Sequence, residues 1–199
     1  MPHNKFKFLA PETSHYMNIF DLDDTLVVTD SKIKVTDIKT QNQFEITPQE
    51  FNYYNDNSNH KLDFSDFENV DNLKAGILID EIFNKLIKTL KYHRAVGIVT
   101  ARGSSVMVRD FLLFNGVDIN PKFIFAVGDW KGTPNSYFTG TTEERKKQAM
   151  YKFIEMGFRN FRFWDDSAKN LELVKTIEKE IPNIKITTKL VTADEMDKY

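Results

Sequence analysis

Three aspartates crowd together directly after an apolar segment near the start of the chain. The segment YMNIFDLDDTLVV, residues 16–28, has the apolar composition of a buried strand up to Phe20, and Asp21, Asp23 and Asp24 follow it. Carboxylates at this density repel one another unless a cation lies between them. An all-oxygen ligand set is the one that a hard divalent cation such as Mg²⁺ prefers. The first chemistry that the sequence indicates is therefore metal-assisted, with Mg²⁺ as the cofactor.

Two further polar segments follow later apolar runs. Thr100 ends the run AVGIVT and opens the segment TARG, and Asp165 and Asp166 follow the run FRFW. Each segment by itself is typical of a helix cap or a solvated loop. In open parallel sheets, however, ligands bind beyond the carboxyl ends of the strands. Together, the segments predict one site where carboxylates from two strands converge, with a hydroxyl from the strand between.

The elements that must position these residues follow an α/β pattern, because short apolar runs alternate with helical periodicity. Five strands are predicted, at Tyr16–Phe20, Ala95–Thr100, Lys122–Val127, Phe161–Trp164 and Ile184–Val191. Four helices are predicted, at 79–90, from Ser104 to before Gly116, from the capping box TTEE to Gly157, and from Ser167 to Ile181. The expected architecture is a Rossmann-like three-layer sandwich with a mostly parallel central sheet.

A small cap insertion is expected after the first strand, at residues 28–72, while residues 1–27 and 73–199 form the core. Apolar alternation on both sides of a polar turn predicts a hairpin within residues 33–46. The segment TPQE, residues 47–50, predicts a short helix with a capping box. The remainder, NYYNDNSNHKLDFSDFENV, is rich in Asn, Asp and aromatic residues and is expected to be loop with short helical turns.

The composition narrows the function classes. The 199 residues include no cysteine, which excludes disulfides, thiolate zinc sites and a cysteine nucleophile. The four histidines, His3, His15, His60 and His93, lie away from the acidic motifs, which argues against zinc. A formal net charge of −2 gives no polybasic signature. There is no signal-peptide pattern and no apolar stretch of about 18 residues, so we expect a cytoplasmic protein without a membrane or obligate protein partner.

Four segments, in this order, resemble the motifs of the haloacid dehalogenase (HAD) superfamily: DLDDT, IVTAR, a lysine in EERKKQ, and FWDDS. The resemblance extends from Tyr16 to about Val191. The small size, the ending DDSAKN and the insertion resemble phage-type members, for which the location would be the host cytoplasm. They resemble the 3′-phosphatase domains of polynucleotide kinases more distantly.

The resemblance implies a Mg²⁺-dependent phosphomonoester hydrolase. Asp21 would be the nucleophile and form an aspartyl-phosphate, and Asp23 would protonate the leaving oxygen and then activate water. The second acid favours a phosphatase over a dehalogenase. Mg²⁺ would be held by the Asp21 carboxylate, the Asp23 main-chain carbonyl and Asp165, with Asp166 assisting directly or through water.

The phosphoryl group would be held by the TARG segment and by a lysine. The resemblance assigns this role to Thr100 and the amides of Ala101 and Arg102, near a helix N-terminus. The Arg102 side chain contacts either the substrate or a neighbouring acid. In the helix after TTEE, Lys146 falls near the centre of the apolar face and Lys147 about 90° away from it. Lys146 is therefore our choice as the site lysine, the alternative being that both are solvated.

The substrate class remains open at this stage. A small insertion leaves the site open, which suits nucleotide or polynucleotide 3′-phosphate ends and phosphoproteins, or small phosphorylated compounds if oligomerisation closes the site. A phosphotransferase on the same scaffold is one alternative to the hydrolase. A non-catalytic HAD-like binding module is another, although every chemical position of the four motifs is present.

Overall fold

Strands and helices alternate along the computed structural model, which describes residues 6–7, 15–54 and 59–192. The strands are β1 Phe6–Lys7, β2 Tyr16–Phe20, β3 Val27–Val28, β4 Ile33–Asp37, β5 Gln43–Ile46, β6 His60–Asp63, β7 Ile77–Leu78, β8 Ala95–Thr100, β9 Val117–Asp118, β10 Ile124–Ala126, β11 Asn160–Asp165 and β12 Lys185–Leu190. The α-helices are α1 Pro48–Tyr53, α2 Val70–Ala75, α3 Asp80–Lys91, α4 Ser105–Phe114, α5 Thr142–Glu155, α6 Ala168–Lys175 and α7 Ile177–Glu180. Short 3₁₀ helices span Ser65–Glu68 and Pro121–Phe123.

The central sheet has five parallel strands in the order β10-β8-β2-β11-β12. All six residues of β8 are buried, as expected for an inner strand covered on both faces. On one face, Asn18 of β2 donates a hydrogen bond to Thr89 of α3 at 2.8 Å. On the other face, the Phe153 ring of α5 packs over Gly97 of β8. The predicted α/β class and parallel sheet are confirmed, with helices flanking the sheet.

The predicted strands and helices of the core match the structure closely, although the two-residue strands β7 and β9 were not predicted and two predicted elements differ. Residues 122–123 belong to a 3₁₀ turn because Pro121 starts it and Asn120 accepts a hydrogen bond from the Lys122 amide at 3.1 Å. The single helix predicted up to Ile181 is divided into α6 and α7. The break lies at Thr176, whose hydroxyl donates to the Leu173 carbonyl at 2.6 Å and competes with the helical pattern.

The excursion between β3 and β7 carries its own small antiparallel sheet, in the order β5-β4-β6. Strands β3 and β7 pair antiparallel at its base. The predicted hairpin corresponds to β4 and β5, and the TPQE capping box starts α1. The loop prediction for the following stretch is wrong at β6, because pairing with β4 overrides the weak strand preference of HKLD. Residues 55–58 of that stretch lie outside the described residues.

Two apolar clusters correspond to these two parts of the chain. The larger one fills the space between the central sheet and its helices. The smaller one, made of Ile33, Val35 and Ile46, lies under the antiparallel sheet of the excursion. The longest described helix, α5, has 14 residues and several charges, and within residues 6–7, 15–54 and 59–192 there is no helix that could cross a bilayer.

Candidate active site

The acidic motifs lie where the direction of the sheet topology changes. From β2 the chain moves to β8 and β10 on one side, whereas β11 pairs with β2 on the other side. Asp21 follows β2, its amide donates to the Trp164 carbonyl of β11 at 2.9 Å, and Asp165 is the last residue of β11. The crevice at such a switch point, beyond the carboxyl ends of the strands, is the usual ligand site of open α/β sheets.

A buried ammonium group joins the two strand ends. Lys146 Nζ lies 2.9 Å from Asp21 Oδ1 and 2.8 Å from Asp165 Oδ2, and its side chain is only 2% exposed. Lys147 instead contacts Glu180 at 2.6 Å and Thr176 at 2.8 Å, away from these acids. The inward orientation predicted for Lys146 is confirmed, and Lys147 does not reach this cluster. The cation that the opening aspartates require is in part supplied by the chain itself.

Asp165 is held in one orientation by its neighbours. Its Oδ1 accepts hydrogen bonds from the Ser167 amide at 2.9 Å and from Asn170 Nδ2 at 2.8 Å, while Oδ2 accepts from Lys146. Ser167 also caps α6, so the helix start and the carboxylate share one local arrangement. Because the side chain is fully buried and accepts three hydrogen bonds, it has room for about one more ligand.

The negative charge of the cluster exceeds the charge of its lysine. Oxygen atoms of Asp21, Asp165 and Asp166 all lie within 4.8 Å of one another, and Lys146 is the cation that bridges Asp21 and Asp165. Burial raises the pKa of Asp21 well above its ordinary value; Lys146 opposes that rise, and Asp165 and Asp166 add to it. Three carboxylates against one ammonium leave two negative charges, and hard oxygen donors with that excess fit a divalent cation such as Mg²⁺.

Lys146 keeps its charge in this environment. Burial by itself lowers the pKa of the ammonium group, but the carboxylates of Asp165 and Asp21 outweigh it, so that the net shift is upward. The lysine is therefore a fixed positive charge at the centre of the cluster rather than a proton donor.

Asp23 belongs to a second ion pair at the edge of the cluster. Arg102 donates to both of its oxygens, from Nε at 2.9 Å and from Nη2 at 2.6 Å. The same guanidinium donates to the Phe67 carbonyl at 2.7 Å and lies over the Phe67 ring at 5.3 Å. Two roles were considered for the Arg102 side chain, contact with the substrate or with a neighbouring acid, and in the structure it pairs with the acid Asp23. Arg102 thereby connects three segments: the loop after β8, the aspartate loop and the excursion. The contact of Arg102 with Phe67 was not predicted from the sequence.

Asp24 is a buried acid without an assigned role. It adopts a positive φ of 55°, is 3% exposed, and its Oδ2 has no hydrogen-bond partner among the described residues. Burial raises its pKa from 3.8 to about 7, with Asp166 and Asp23 adding to the rise, while a hydrogen bond from Gln49 lowers it. Among residues other than glycine, Asp and Asn are the ones that most readily adopt a left-handed backbone. The residue type in the turn after β2 is therefore the one sequence signal that could have indicated the special position of Asp24.

The TARG loop is held tightly by the loop after β10. Thr100 is fully buried at the end of β8, and its Oγ1 accepts a hydrogen bond from the Arg102 amide at 3.2 Å. Ala101, by contrast, is exposed. A Cβ atom at Gly103 would lie 1.9 Å from the Asp129 carbonyl oxygen, so only glycine permits this approach. Since β8 lies on the outer side of β2, the Thr100 hydroxyl flanks the two acidic strands and does not come from between them as predicted.

Comparisons of the chain with models of protein families, with curated proteins and with solved structures gave no match.

Proposed function

We propose that this chain is a Mg²⁺-dependent phosphomonoester hydrolase of the HAD type, with Asp21 as the nucleophile. The observation that carries the proposal is the joint position of Asp21, Lys146, Asp165 and Asp166 at the switch point of a parallel sheet. A structural ion pair needs one carboxylate for one ammonium group. Here two buried carboxylates and the half-buried Asp166 face one ammonium group, and the excess of two negative charges is costly unless a cation or a reaction uses it.

In the proposed first step, a carboxylate oxygen of Asp21 attacks phosphorus, and the bond from phosphorus to the leaving alcohol oxygen breaks. That oxygen takes a proton from Asp23. In the second step Asp23 takes a proton from water, the water oxygen attacks phosphorus, and the aspartyl-phosphate bond breaks to release phosphate and restore Asp21. Proton transfer of this kind contributes roughly 10²–10⁴-fold.

The chain's own charges prepare Asp21 for an anionic substrate. The Lys146 ammonium contacts Asp21 at 2.9 Å and would attract the phosphoryl oxygens that approach that carboxylate. Asn170 and Ser167 keep Asp165 directed at the same point. Mg²⁺ held by Asp21, Asp165, Asp166 and the Asp23 carbonyl would offset the repulsion between the carboxylates and the substrate phosphate.

Asp23 needs a rearrangement before it can transfer a proton. Both of its oxygens accept hydrogen bonds from Arg102, so at least one of these bonds must open and Asp23 must take up a proton from solvent before it can protonate the leaving oxygen. Because Arg102 also binds the Phe67 carbonyl, displacement of the excursion would loosen the pair. We propose that the arrangement seen here is the resting state of the acid–base group.

The test is release of phosphate from p-nitrophenyl phosphate, with Mg²⁺ and with EDTA. Asp21→Asn is expected to lose at least 10³-fold in rate while keeping its melting temperature. Asp129→Asn is the matched control, because Asp129 also follows a strand of the sheet but pairs with Arg145 in an exposed loop. If Asp21→Asn hydrolyses p-nitrophenyl phosphate as fast as the wild type, the assignment of Asp21 as the nucleophile is refuted.

Two further measurements separate the alternatives. Beryllium fluoride with Mg²⁺, which mimics an aspartyl-phosphate, should raise the melting temperature of the wild type but not of Asp21→Asn; no effect on either would favour a non-catalytic binding module. Added acceptor alcohols that become phosphorylated would indicate a phosphotransferase. Oligonucleotide 3′-phosphates should be compared with nucleotides and sugar phosphates, and turnover of the small compounds alone would exclude nucleic-acid ends as substrates.

A further inference from the structure

A second feature of the molecule is a basic groove on the α3 face of the central sheet, with a volume of about 520 Å³. Asn18, Arg162 and Thr187 form one cross-strand row on β2, β11 and β12, and Trp164 and Lys189 are paired in the next row. Helix α3 covers the β2 side of this face. The side chains of Arg162 and Lys189 on β11 and β12 are exposed to solvent, as is Thr187 of β12.

The groove concentrates positive charge in a chain whose net charge is −2. Its lining contains five cationic residues and no acid: Lys85, Lys88, Arg94, Arg162 and Lys189. Lys85 pairs with Glu81 at 2.6 Å, whereas the other four form no salt bridge with any residue in the described part of the chain. Unpaired cations gathered in one concavity attract an anion with several charges.

Aromatic rings lie among these cations. Trp164 forms part of the groove wall, stacked on Phe20 at 4.6 Å between ring centroids, and the Arg162 guanidinium lies 5.6 Å from its ring. Tyr92 lines the groove with 64% of its surface exposed. Trp164 is itself buried, but a cationic groove with the exposed ring of Tyr92 and the exposed guanidinium planes of Arg94 and Arg162 suits a phosphate backbone whose bases stack on protein groups. A concave site disfavours a flat membrane surface, and an acidic peptide would leave the aromatic surface unused.

We infer that this groove, which comprises Lys85, Lys88, Tyr92, Arg94, Arg162, Trp164 and Lys189, binds single-stranded nucleic acid. The inference does not depend on the proposed hydrolase activity, because no member of the groove belongs to the acidic cluster. The two sites are nevertheless close: Arg162 and Asp165 are three residues apart on β11, or about 10 Å along the strand. A single-stranded nucleic acid bound in the groove would therefore have one end within reach of the acidic cluster.

The test is fluorescence anisotropy with a labelled 15-nucleotide oligo(dT) that has hydroxyl groups at its unlabelled end, measured with EDTA so that no turnover occurs. Binding is expected to weaken with salt with a logarithmic slope of up to about −3.5 for five phosphate contacts, or roughly 100-fold between 50 and 200 mM salt. The double variant Arg162→Glu, Lys189→Glu should bind at least tenfold more weakly and reduce the slope by about 1.4.

The control reverses the same amount of charge elsewhere. Lys122→Glu, Lys152→Glu changes two lysines that do not line the groove and should leave affinity within about twofold. Tyr92→Ala should weaken binding severalfold without changing the salt slope, because it removes stacking and no charge. Melting temperatures of all variants show whether the fold is kept.

Three results would overturn the inference. The first is no binding at 50 mM salt with tens of micromolar protein. The second is equal loss of affinity in the groove variant and the control variant, which would assign the binding to the general surface charge. The third is a poly-glutamate peptide of matched charge that competes as well as the oligonucleotide, which would assign the groove to acidic proteins.

Discussion

Replacing Lys146 with methionine tests the electrostatic basis of the acidic cluster. Methionine keeps most of the length and apolar volume of the lysine stem, so the packing cost is expected to stay below about 1.5 kcal/mol. What changes is the charge: the carboxylates of Asp21 and Asp165 lose the ammonium group at 2.9 and 2.8 Å. Both acids are nearly inaccessible to water, at 7% and 0% side-chain exposure, so water cannot replace the lysine.

Breaking a buried ion pair by removing one partner costs about 3–5 kcal/mol. For a chain of 199 residues this corresponds to a fall in melting temperature of roughly 6–20 °C. The loss should shrink as the pH falls, because protonation neutralises Asp21, whose pKa is already raised by burial. Mg²⁺ should raise the melting temperature of Lys146→Met more than that of the wild type, because the variant cluster carries three uncompensated negative charges and not two.

Lys147→Met is the matched control, since it makes the same change one residue away. Lys147 contacts Glu180, which is 43% exposed, and such a pair contributes about 1 kcal/mol or less. Thermal and urea unfolding at two pH values, with EDTA and with Mg²⁺, measure all of these effects. If Lys146→Met fails to fold, adding Asp165→Asn should restore part of the stability. Equal losses in the two lysine variants, or a Lys146→Met loss that responds to neither pH nor Mg²⁺, would refute the electrostatic account.

Three further predictions concern the acids around this cluster. Asp24→Asn should stabilise the metal-free fold above pH 7 by at most about 4 kcal/mol and should leave its stability unchanged near pH 4. The reason is that the pKa of Asp24 is raised to about 7, so the wild type loses stability between pH 4 and 7 as Asp24 ionises. Urea unfolding at several pH values measures this difference. Mg²⁺ binding, measured by calorimetry at several pH values, should weaken as the pH falls and should release protons, because the ion competes with the proton that the raised pKa of Asp21 retains. Arg102→Lys should lower the free energy of unfolding by about 1–3 kcal/mol, since it keeps the charge but loses the two hydrogen bonds to Asp23 and the one to the Phe67 carbonyl. Limited proteolysis should then cut more readily between residues 29 and 76.

The parts of the fold that the sequence predicted are those set by local patterns. Strands β2 and β8 match their apolar runs to the residue, and both capping boxes start helices where Thr47 and Thr141 indicated. The orientation of Lys146 followed from helical phase alone, because the apolar residues one turn and two turns later on α5 fix the buried face. Capping hydrogen bonds and apolar periodicity are determined by residues within a short segment of the sequence, so these features can be predicted without knowledge of tertiary contacts.

The features that escaped prediction depend on contacts between distant segments. The choice of Asp23 as the partner of Arg102 spans 79 residues, and the carbonyl of Phe67 that shares this arginine spans 35. Strand β6 forms because β4 offers it a free edge, not because HKLD has a strong strand preference. The burial of Asp24 results from the closing of the excursion over the aspartate loop, as its hydrogen bond with Gln49 indicates.

The basic groove shows why whole-chain charge was a poor guide to possible partners. Its cations come from α3, from the residue before β8, and from β11 and β12, so the fold is needed to bring the five together, although residues 85–94 alone carry four cations and no acid. The acidic cluster at the carboxyl end of the same sheet has an excess of the opposite sign, and the formal net charge of −2 for the whole chain reveals neither region. Since interactions between exposed charges are largely screened beyond a Debye length of about 8–10 Å, a ligand responds to the charges near it and not to the net charge of the whole chain. In the proposals made above, the acidic end would bind a divalent cation and the groove would bind a polyanion, and the parallel sheet is what places the two groups of charges at different positions within one small protein.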